Sequence, residues 1–320
     1  EGAVEAMRLG ADDYLSKPVQ LPSLLLVLER VIARRALARE AQALRMAHGD
    51  GGTGTGPEVI GQTRVFLDLL ELARQLAPSP VPVLITGNSG SGKQFLARLI
   101  HQWSRCSGPL ITLPCGTLGE AALERELFGS KHGDGPAHEG ALRRAHHGTV
   151  LLVDIDKLSL DLQARLLAVL KERTFNRVGD GQQFSSSARL LSTTSRDLAA
   201  EAKFGRFRED LYYRLAAVNL RTPSLRERRD DLARLATHFV RHYAKQYGKR
   251  ISGCSERVLS VLTAYEWPGN IAQLERCIER AVVVARNAEL EPRDLPRELM
   301  VKPQDDSAPV RSEEHTSELQ

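Results

Sequence analysis

Apolar residues recur along the chain in two rhythms. In the first, short continuous apolar runs stand between turn residues: Pro82–Gly87 (PVLITG), Pro109–Leu113 (PLITL), Thr149–Val153 (TVLLV) and Ala188–Thr194 (ARLLSTT). Runs this short, apolar at consecutive positions, predict strands buried on both faces. In the second, apolar residues return every three or four positions, as in Lys93–Ser104, Leu160–Glu172 and Phe207–Ala216. That spacing lays one apolar stripe along a helix. The rhythms alternate from Val59 to about Thr222, which predicts an α/β fold: a mainly parallel sheet with helices on both faces. From Leu225 to about Met300 only the helical rhythm remains, carried by Arg229–Gly248 and Asn270–Asn287. A small helical lid subdomain is the expectation there.

The ends follow other patterns. Residues 1–40 predict a short helix closing at Gly10, a short strand through Asp13–Pro18 and a long helix from near Leu21. Residues 41–58 contain His48–Pro57 (HGDGGTGTGP), whose glycines predict a flexible linker. The expected division is 1–40, linker 41–58, sheet unit 59–224, lid 225–300 and linker 301–310. Residues 311–320 (RSEEHTSELQ) match the in-frame translation of a common sequencing adapter. They are expected to be non-biological and carry no fold reasoning.

Composition narrows the class. Aromatic residues are only 5% of the chain, which disfavours a β-sandwich. A net charge of +4 is too small to argue for nucleic-acid binding. Cys106, Cys115, Cys254 and Cys277 lie far apart without CxxC spacing, as expected for buried thiols in a reducing cytoplasm. No apolar run approaches the roughly 20 residues of a membrane span.

The strongest chemical signal is Leu84–Gln94 (LITGNSGSGKQ). Gly87, four residues, Gly92 and Lys93 follow a predicted strand and open a predicted helix. Glycines let backbone N–H groups wrap phosphate oxygens, and the helix N-terminus adds a favourable dipole. Gly87, Asn88, Ser89, Gly90, Ser91, Gly92, Lys93 and Gln94 are therefore candidate nucleotide contacts, with Lys93 reaching the outer phosphates. Gln94 stands where this loop ordinarily carries a Ser or Thr hydroxyl for Mg²⁺.

From Val59 to Met300 the chain resembles the AAA+ ATPase domain of NtrC-type, sigma-54-dependent transcription activators. The matching stretches are VIGQ (59–62), VLITGNSGSGK, ELFG (126–129), LDLQARLLAVL, GRFREDLYYRL (205–215), PSLRERRDDL (223–232) and WPGN (267–270). Residues 1–40, with Lys17 and Pro18, resemble the last third of a response-regulator receiver domain. The resemblance implies ATP as ligand, with Ile60 and Gly61 as further nucleotide contacts, and Mg²⁺ as its metal. It also implies self-association into a hexameric ring, with Arg208 and Arg214 as arginine fingers reaching a neighbour's nucleotide. Implied partners are RNA polymerase holoenzyme with sigma-54, promoter DNA through a C-terminal domain beyond this chain, and a sensor kinase through the truncated receiver.

Several positions depart from the family pattern. In register with GTLFLDEI, the metal Asp falls on Val153, the catalytic Glu on Asp154 and a Gly on Asp156. Val offers no oxygen, and the Asp side chain is one methylene short; misplacement on that scale costs on the order of 100-fold in rate. A bulge in the strand is one route by which Asp154 takes the metal position. Ser195 replaces the polar Asn sensor and Ala272 the Arg sensor, and Ser130–Glu139 (SKHGDGPAHE) lacks the GAFTGA tip. His132, His138, His146 and His147 fit no zinc spacing and are expected on loop and helix surfaces. The expected protein binds ATP and controls transcription in the manner of sigma-54 activators, with hydrolysis and sigma-54 contact degenerate. Two alternatives stand beside it: a working ATPase with Asp154 as its metal ligand, and a structural ring subunit that donates Arg208 and Arg214.

Overall fold

The computed structural model describes residues 58–131, 137–179 and 182–300. The receiver-like segment 1–40, nearly all of the linker 41–58, residues 301–320 and His132 lie outside them. So does the middle of the loop 130–139.

The chain builds β1 (Val83–Thr86), β2 (Leu110–Pro114), β3 (Thr149–Val153), β4 (Thr174–Asn176), β5 (Gln183–Ser185), β6 (Arg189–Thr194) and β7 (Asn219–Arg221). Between and before them run α1 (Arg64–Leu76), α2 (Lys93–Ser104), α3 (Glu120–Phe128), α4 (Ala141–Arg144), α5 (Leu160–Glu172), α6 (Leu198–Lys203) and α7 (Glu209–Leu215). One five-stranded sheet has the order β2-β3-β6-β1-β7, and every neighbouring pair is parallel. Parallel neighbours require crossovers, and the helices that make them cover both faces.

In β1, β3 and β6 the consecutive apolar runs follow from that double cover, whereas β2, at the sheet edge, buries only Leu113, so its expected burial on both faces does not hold. In β3, Val150 and Leu152 join a core with Leu123, Leu127, Phe128, Leu166 and Leu170 on one face. Leu151 and Val153 face the other way, into a core with Leu69, Ala73, Leu96, Ala97 and Ile100. Helices α2 and α5 have the predicted limits. Strand β7 and the antiparallel hairpin β4–β5 were not expected. Each is three residues long, too short to show a period, and β7 is fixed by pairing its Leu220 with Ile85 of β1.

Beyond β7 a 3₁₀ segment, Leu225–Asp231, leads into α8 (Leu232–Gln246), α9 (Glu256–Ala264) and α10 (Asn270–Val284). Their core gathers Leu235, Val240, Val258, Leu262, Trp267, Leu274 and Ile278. The expectation of helices alone needs one correction. A two-residue parallel ladder pairs β8 (Gly253–Cys254) with β9 (Glu289–Leu290). The cysteines need another: all four are free thiols, but only Cys115 and Cys277 are buried. Burial pushes the Cys115 and Cys277 thiols up to about 12. No helix among the described residues is long and apolar enough to cross a membrane.

A capping box opens the 3₁₀ segment. Ser224 Oγ accepts from Glu227 N, while the Glu227 carboxylate accepts from Ser224 N at 2.8 Å and pairs with Arg221. The Ser224 hydroxyl leads these interactions in holding the Glu227 carboxyl down at about 2, against an ordinary 4.5. A depressed carboxylate stabilises the fold above its unfolded-state pKa, and that contribution is lost as pH falls through the folded value. Glu227→Gln is therefore expected to lower stability at pH 7 by about 1 kcal/mol, after allowance for solvent screening of a partly exposed group. Between pH 4.5 and 2 the variant should lose less stability than the parent. Urea unfolding midpoints across that range check it; parallel curves refute it.

Candidate functional site

The loop between β1 and α2 sits at the carboxyl end of a parallel strand, where open α/β sheets form their ligand crevices. Two of its glycines have no room for a side chain. A Cβ on Gly87 (φ +145°) would lie 2.2 Å from Thr222 Oγ1, and one on Gly90 (φ +73°) 2.2 Å from Gly269 O. Ser91 Oγ shares a hydrogen bond of 2.6 Å with Thr222 Oγ1, which also donates to Thr86 O. Thr222 thus ties the loop to the strand that precedes it. No sequence signal marked Thr222.

Lys93 is the first residue of α2 and is buried. Its Nζ donates to Gly87 O at 2.8 Å, Asn88 O at 3.0 Å and Ser195 Oγ at 2.7 Å. All three protons of the ammonium group are used by the protein itself. Burial lowers the Lys93 pKa, and the charges of Asp154 and Asp156 oppose that shift. The loop, Lys93, Ser195 and the turn after β3 are therefore one electrostatic unit. Asn88, Ser89 and Gln94 are exposed.

The end of β3 is regular. Its register with β2 runs unbroken from Leu110↔Thr149 to Pro114↔Val153, so no bulge displaces Asp154. Val153 is 6% exposed and points into the core beside α2. Asp154 then adopts a left-handed conformation (φ 56°, ψ 57°) and its N–H donates to Thr193 Oγ1 at 3.3 Å. The Asp156 side chain is only 4% exposed; it accepts from Thr194 Oγ1 at 2.6 Å and pairs with Arg196 at 3.5 Å.

The helical lid closes on the same loop. Asn270, buried at φ +51°, donates from Nδ2 to Ser89 O and accepts at Oδ1 from Leu225 N, each at 2.8 Å. Ala272 N donates to Gly90 O at 3.3 Å. Ala272, which the family resemblance sets at the second-sensor position, therefore stands at the phosphate loop and carries only a methyl group. Ile60 and Gly61 lie in the seam between sheet unit and lid: Arg228 donates to Ile60 O at 2.7 Å. Arg228 is itself buried, paired with Asp231 at 3.1 Å, and stacked 3.7 Å from the Phe66 ring centroid.

Arg208 and Arg214 are held apart from this cluster. Arg208 forms a two-pronged pair with Asp210, at 3.1 and 2.8 Å. Arg214 donates twice to Leu170 O, at the end of α5. Of the histidines, His138 pairs with Glu126 at 3.1 Å, and His146 shares a hydrogen bond with Ser187 at 2.8 Å. His146 and His147 hold their rings 3.9 Å apart.

Comparisons with known proteins agree with this geometry. A family model described as Sigma-54 interaction domain matches residues 59–221, and one described as AAA+ ATPase lid domain matches residues 226–312. The transcriptional regulatory protein ZraR of Escherichia coli (strain K12) is 41% identical over 302 residues, covering 92% of this chain and 67% of ZraR. The regulatory protein AtoC of the same organism is 38% identical over 304 residues, covering 93% of this chain and 66% of AtoC. The chain thus spans about two thirds of the length of these relatives. A crystal structure of NtrX from Brucella abortus in complex with ATP superposes with a TM-score of 0.72 at 33% identity, covering 98% of this chain and 68% of NtrX.

The Asn270 bridge is open to test. Asn270→Ala strands a buried N–H and a loop carbonyl and should destabilise the fold by about 3 kcal/mol. Asn270→Asp keeps the acceptor for Leu225 N but sets a carboxylate against Ser89 O. It should loosen the phosphate loop more than it lowers the melting temperature. Thermal unfolding combined with hydrogen exchange of residues 87–92 separates the two effects. Unchanged exchange in both variants rules the bridge out.

Proposed function

This chain belongs to the family of sigma-54-dependent AAA+ response regulators, and from that membership we propose that it is an ATP-binding regulatory module in which hydrolysis is weak or lost. The observation that carries the reading is Val153. Its side chain occupies the face of β3 turned toward α2, where the family pattern places a metal-holding carboxylate, and it is packed among Leu96, Ala97 and Leu151.

The residues present fit the phosphates of a nucleotide. Gly87 and Gly90 have backbone shapes that exclude side chains, Lys93 presents a buried ammonium, and α2 begins at the loop. Bound ATP supplies the anionic phosphates that these groups neutralise. Phosphate competes with Gly87 O, Asn88 O and Ser195 Oγ for the Lys93 protons, so nucleotide entry redistributes these hydrogen bonds. Ile60 and Gly61 complete the proposed nucleotide contacts. The residues do not fit Mg²⁺ in the same way: Gln94 supplies no hydroxyl beside Lys93, and Val153 no carboxylate. The ATP complex of NtrX, which shares this fold, supports nucleotide binding here.

Arg208 and Arg214 are proposed to reach a neighbouring subunit's nucleotide in a ring, which requires Arg208 to exchange Asp210 for phosphate. Contact with sigma-54 RNA polymerase, promoter DNA and a sensor kinase is proposed for the intact protein. The altered Ser130–Glu139 stretch argues for weakened sigma-54 contact. A second reading, a working ATPase with Asp154 on the metal, has one observation in its favour. The charge of Asp154 raises the Lys93 pKa against the larger, lowering effect of burial, which sets this carboxylate near the loop. The unbroken register of β3 weighs against it.

Phosphate release with Mg-ATP, alongside titration with a fluorescent ATP analogue, decides between them. The parent chain should bind the analogue and Lys93→Ala should not, while turnover of the two stays equal. The double change Val153→Asp and Asp154→Glu should raise turnover by at least roughly tenfold. Parent turnover well above the Lys93→Ala background overturns the proposal and favours Asp154 as the metal ligand.

A further inference from the structure

Asp156 has no assigned role, yet its side chain is only 4% exposed. Its two oxygens grip both sides of Ser195. One accepts from the Thr194 hydroxyl at 2.6 Å, and the other faces Arg196 Nε at 3.5 Å. Ser195, held between them, accepts from Lys93 Nζ. Lys157 also reaches Asp156, at 3.8 Å.

The chain of charges continues away from the loop. Arg196 lies 3.6 Å from Glu201, and Glu201 makes a two-pronged pair with Arg206 at 2.7 and 2.9 Å. The Arg206 hydrogen bonds hold the Glu201 carboxyl below its usual range. Glu201 O also receives the backbone N–H groups of Arg206 and Phe207. Arg208 follows two residues after Arg206. A second connection runs in parallel. Gln163, 0% exposed, donates to Leu158 O and to Arg206 O, and its Oε1 accepts from Arg208 N at 2.8 Å. The turn after β3 and the segment before α7 are thus joined twice, once by ion pairs and once by a buried amide.

We propose that Asp156, through Arg196 and Glu201, is a positioning residue that sets the Arg206–Arg208 segment according to whether Lys93 is engaged by nucleotide. The inference rests on the reading of the loop as a nucleotide site. Its physical basis is the competition at Lys93. Phosphate withdraws Lys93 from Ser195, and Ser195 lies between the two residues that Asp156 holds. Arg196 then re-pairs between Asp156 and Glu201, and the grip of Glu201 on Arg206 changes with it. The buried Gln163 keeps the segment in place while the ion pairs adjust. The finger that a subunit offers to its neighbour is in this way set by the subunit's own site.

Hydrogen exchange of residues 204–210 in the full chain, with and without ADP or a non-hydrolysable ATP analogue, tests this. In the parent, nucleotide should change exchange at Arg206–Asp210 by roughly 2- to 30-fold, the range of side-chain-mediated coupling. Glu201→Gln, remote from the loop, should bind the analogue as the parent does and lose that response. Asp156→Asn keeps the Thr194 hydrogen bond but not the charge, and should lose it too. Arg196→Lys, which keeps the charge, should retain most of it. A static structural role would alter stability in these variants without altering the nucleotide response. Responses equal to the parent's in both Glu201→Gln and Asp156→Asn overturn the inference, as does a parent that binds the analogue with no change at 204–210. A parent that does not bind the analogue overturns the functional reading beneath it, and this inference with it.

Discussion

Asn270 reaches the phosphate loop with one end of its side-chain amide and the entrance to the lid with the other. It does so from a left-handed backbone conformation that Asn tolerates better than most residues. Trp267, three residues earlier, is also left-handed at φ 52°, which is costly for a bulky side chain. That strain is offset by burying the indole and by its Nε1 donating to Leu262 O at 2.7 Å. The lid core therefore fixes the turn, the turn fixes Asn270, and Asn270 fixes the loop. Gly90 must be glycine because this contact brings Gly269 O so near. The lid is part of the phosphate site rather than an attachment to it.

The same dependence runs through the other edge of the junction. Arg228 and Asp231 form an ion pair buried on both sides, a costly arrangement unless every polar atom is satisfied. The remaining hydrogen bonds come from the segment before α1. Ile60 O accepts from Arg228, while Gln62 N and Thr63 N donate to Asp231. The chain's entry into the fold is thereby locked to its passage into the lid. Ile60 and Gly61 are positioned by this pair, so a change at Arg228 acts on the proposed nucleotide site from a distance.

Legibility in the sequence followed the range of each interaction. Helices α2 and α5 were readable because a helical period needs only its own residues, and the buried strands because double cover leaves an unbroken apolar run. The loop Gly87–Lys93 was readable for the same reason: its geometry is local. Thr222, Gln163 and Asn270 were not assigned roles, although WPGN and LDLQ stood out as patterns. Each acts through partners more than forty residues away, Thr222 on Ser91 Oγ and Thr86 O, Gln163 and Asn270 on backbone groups, and a hydroxyl or amide carries no mark of such a partner. The hairpin β4–β5 and strand β7 failed for a related reason. At three residues each, they are specified by the strands they meet.

The placement of charge at the end of β3 follows from what its burial allows. A carboxylate at Val153 would sit among Leu96, Ala97 and Leu151, and without a cation its burial would cost several kcal/mol. Valine removes that cost and lets β3 close its core with no metal present. Two carboxylates, Asp154 and Asp156, stand one and three residues further on. The charge of Asp154 opposes the lowering of the Lys93 pKa by burial, and Asp156 faces Arg196 and Lys157. Apolar packing holds the end of β3, while Asp156 is paired with Arg196, which also lies near Glu201.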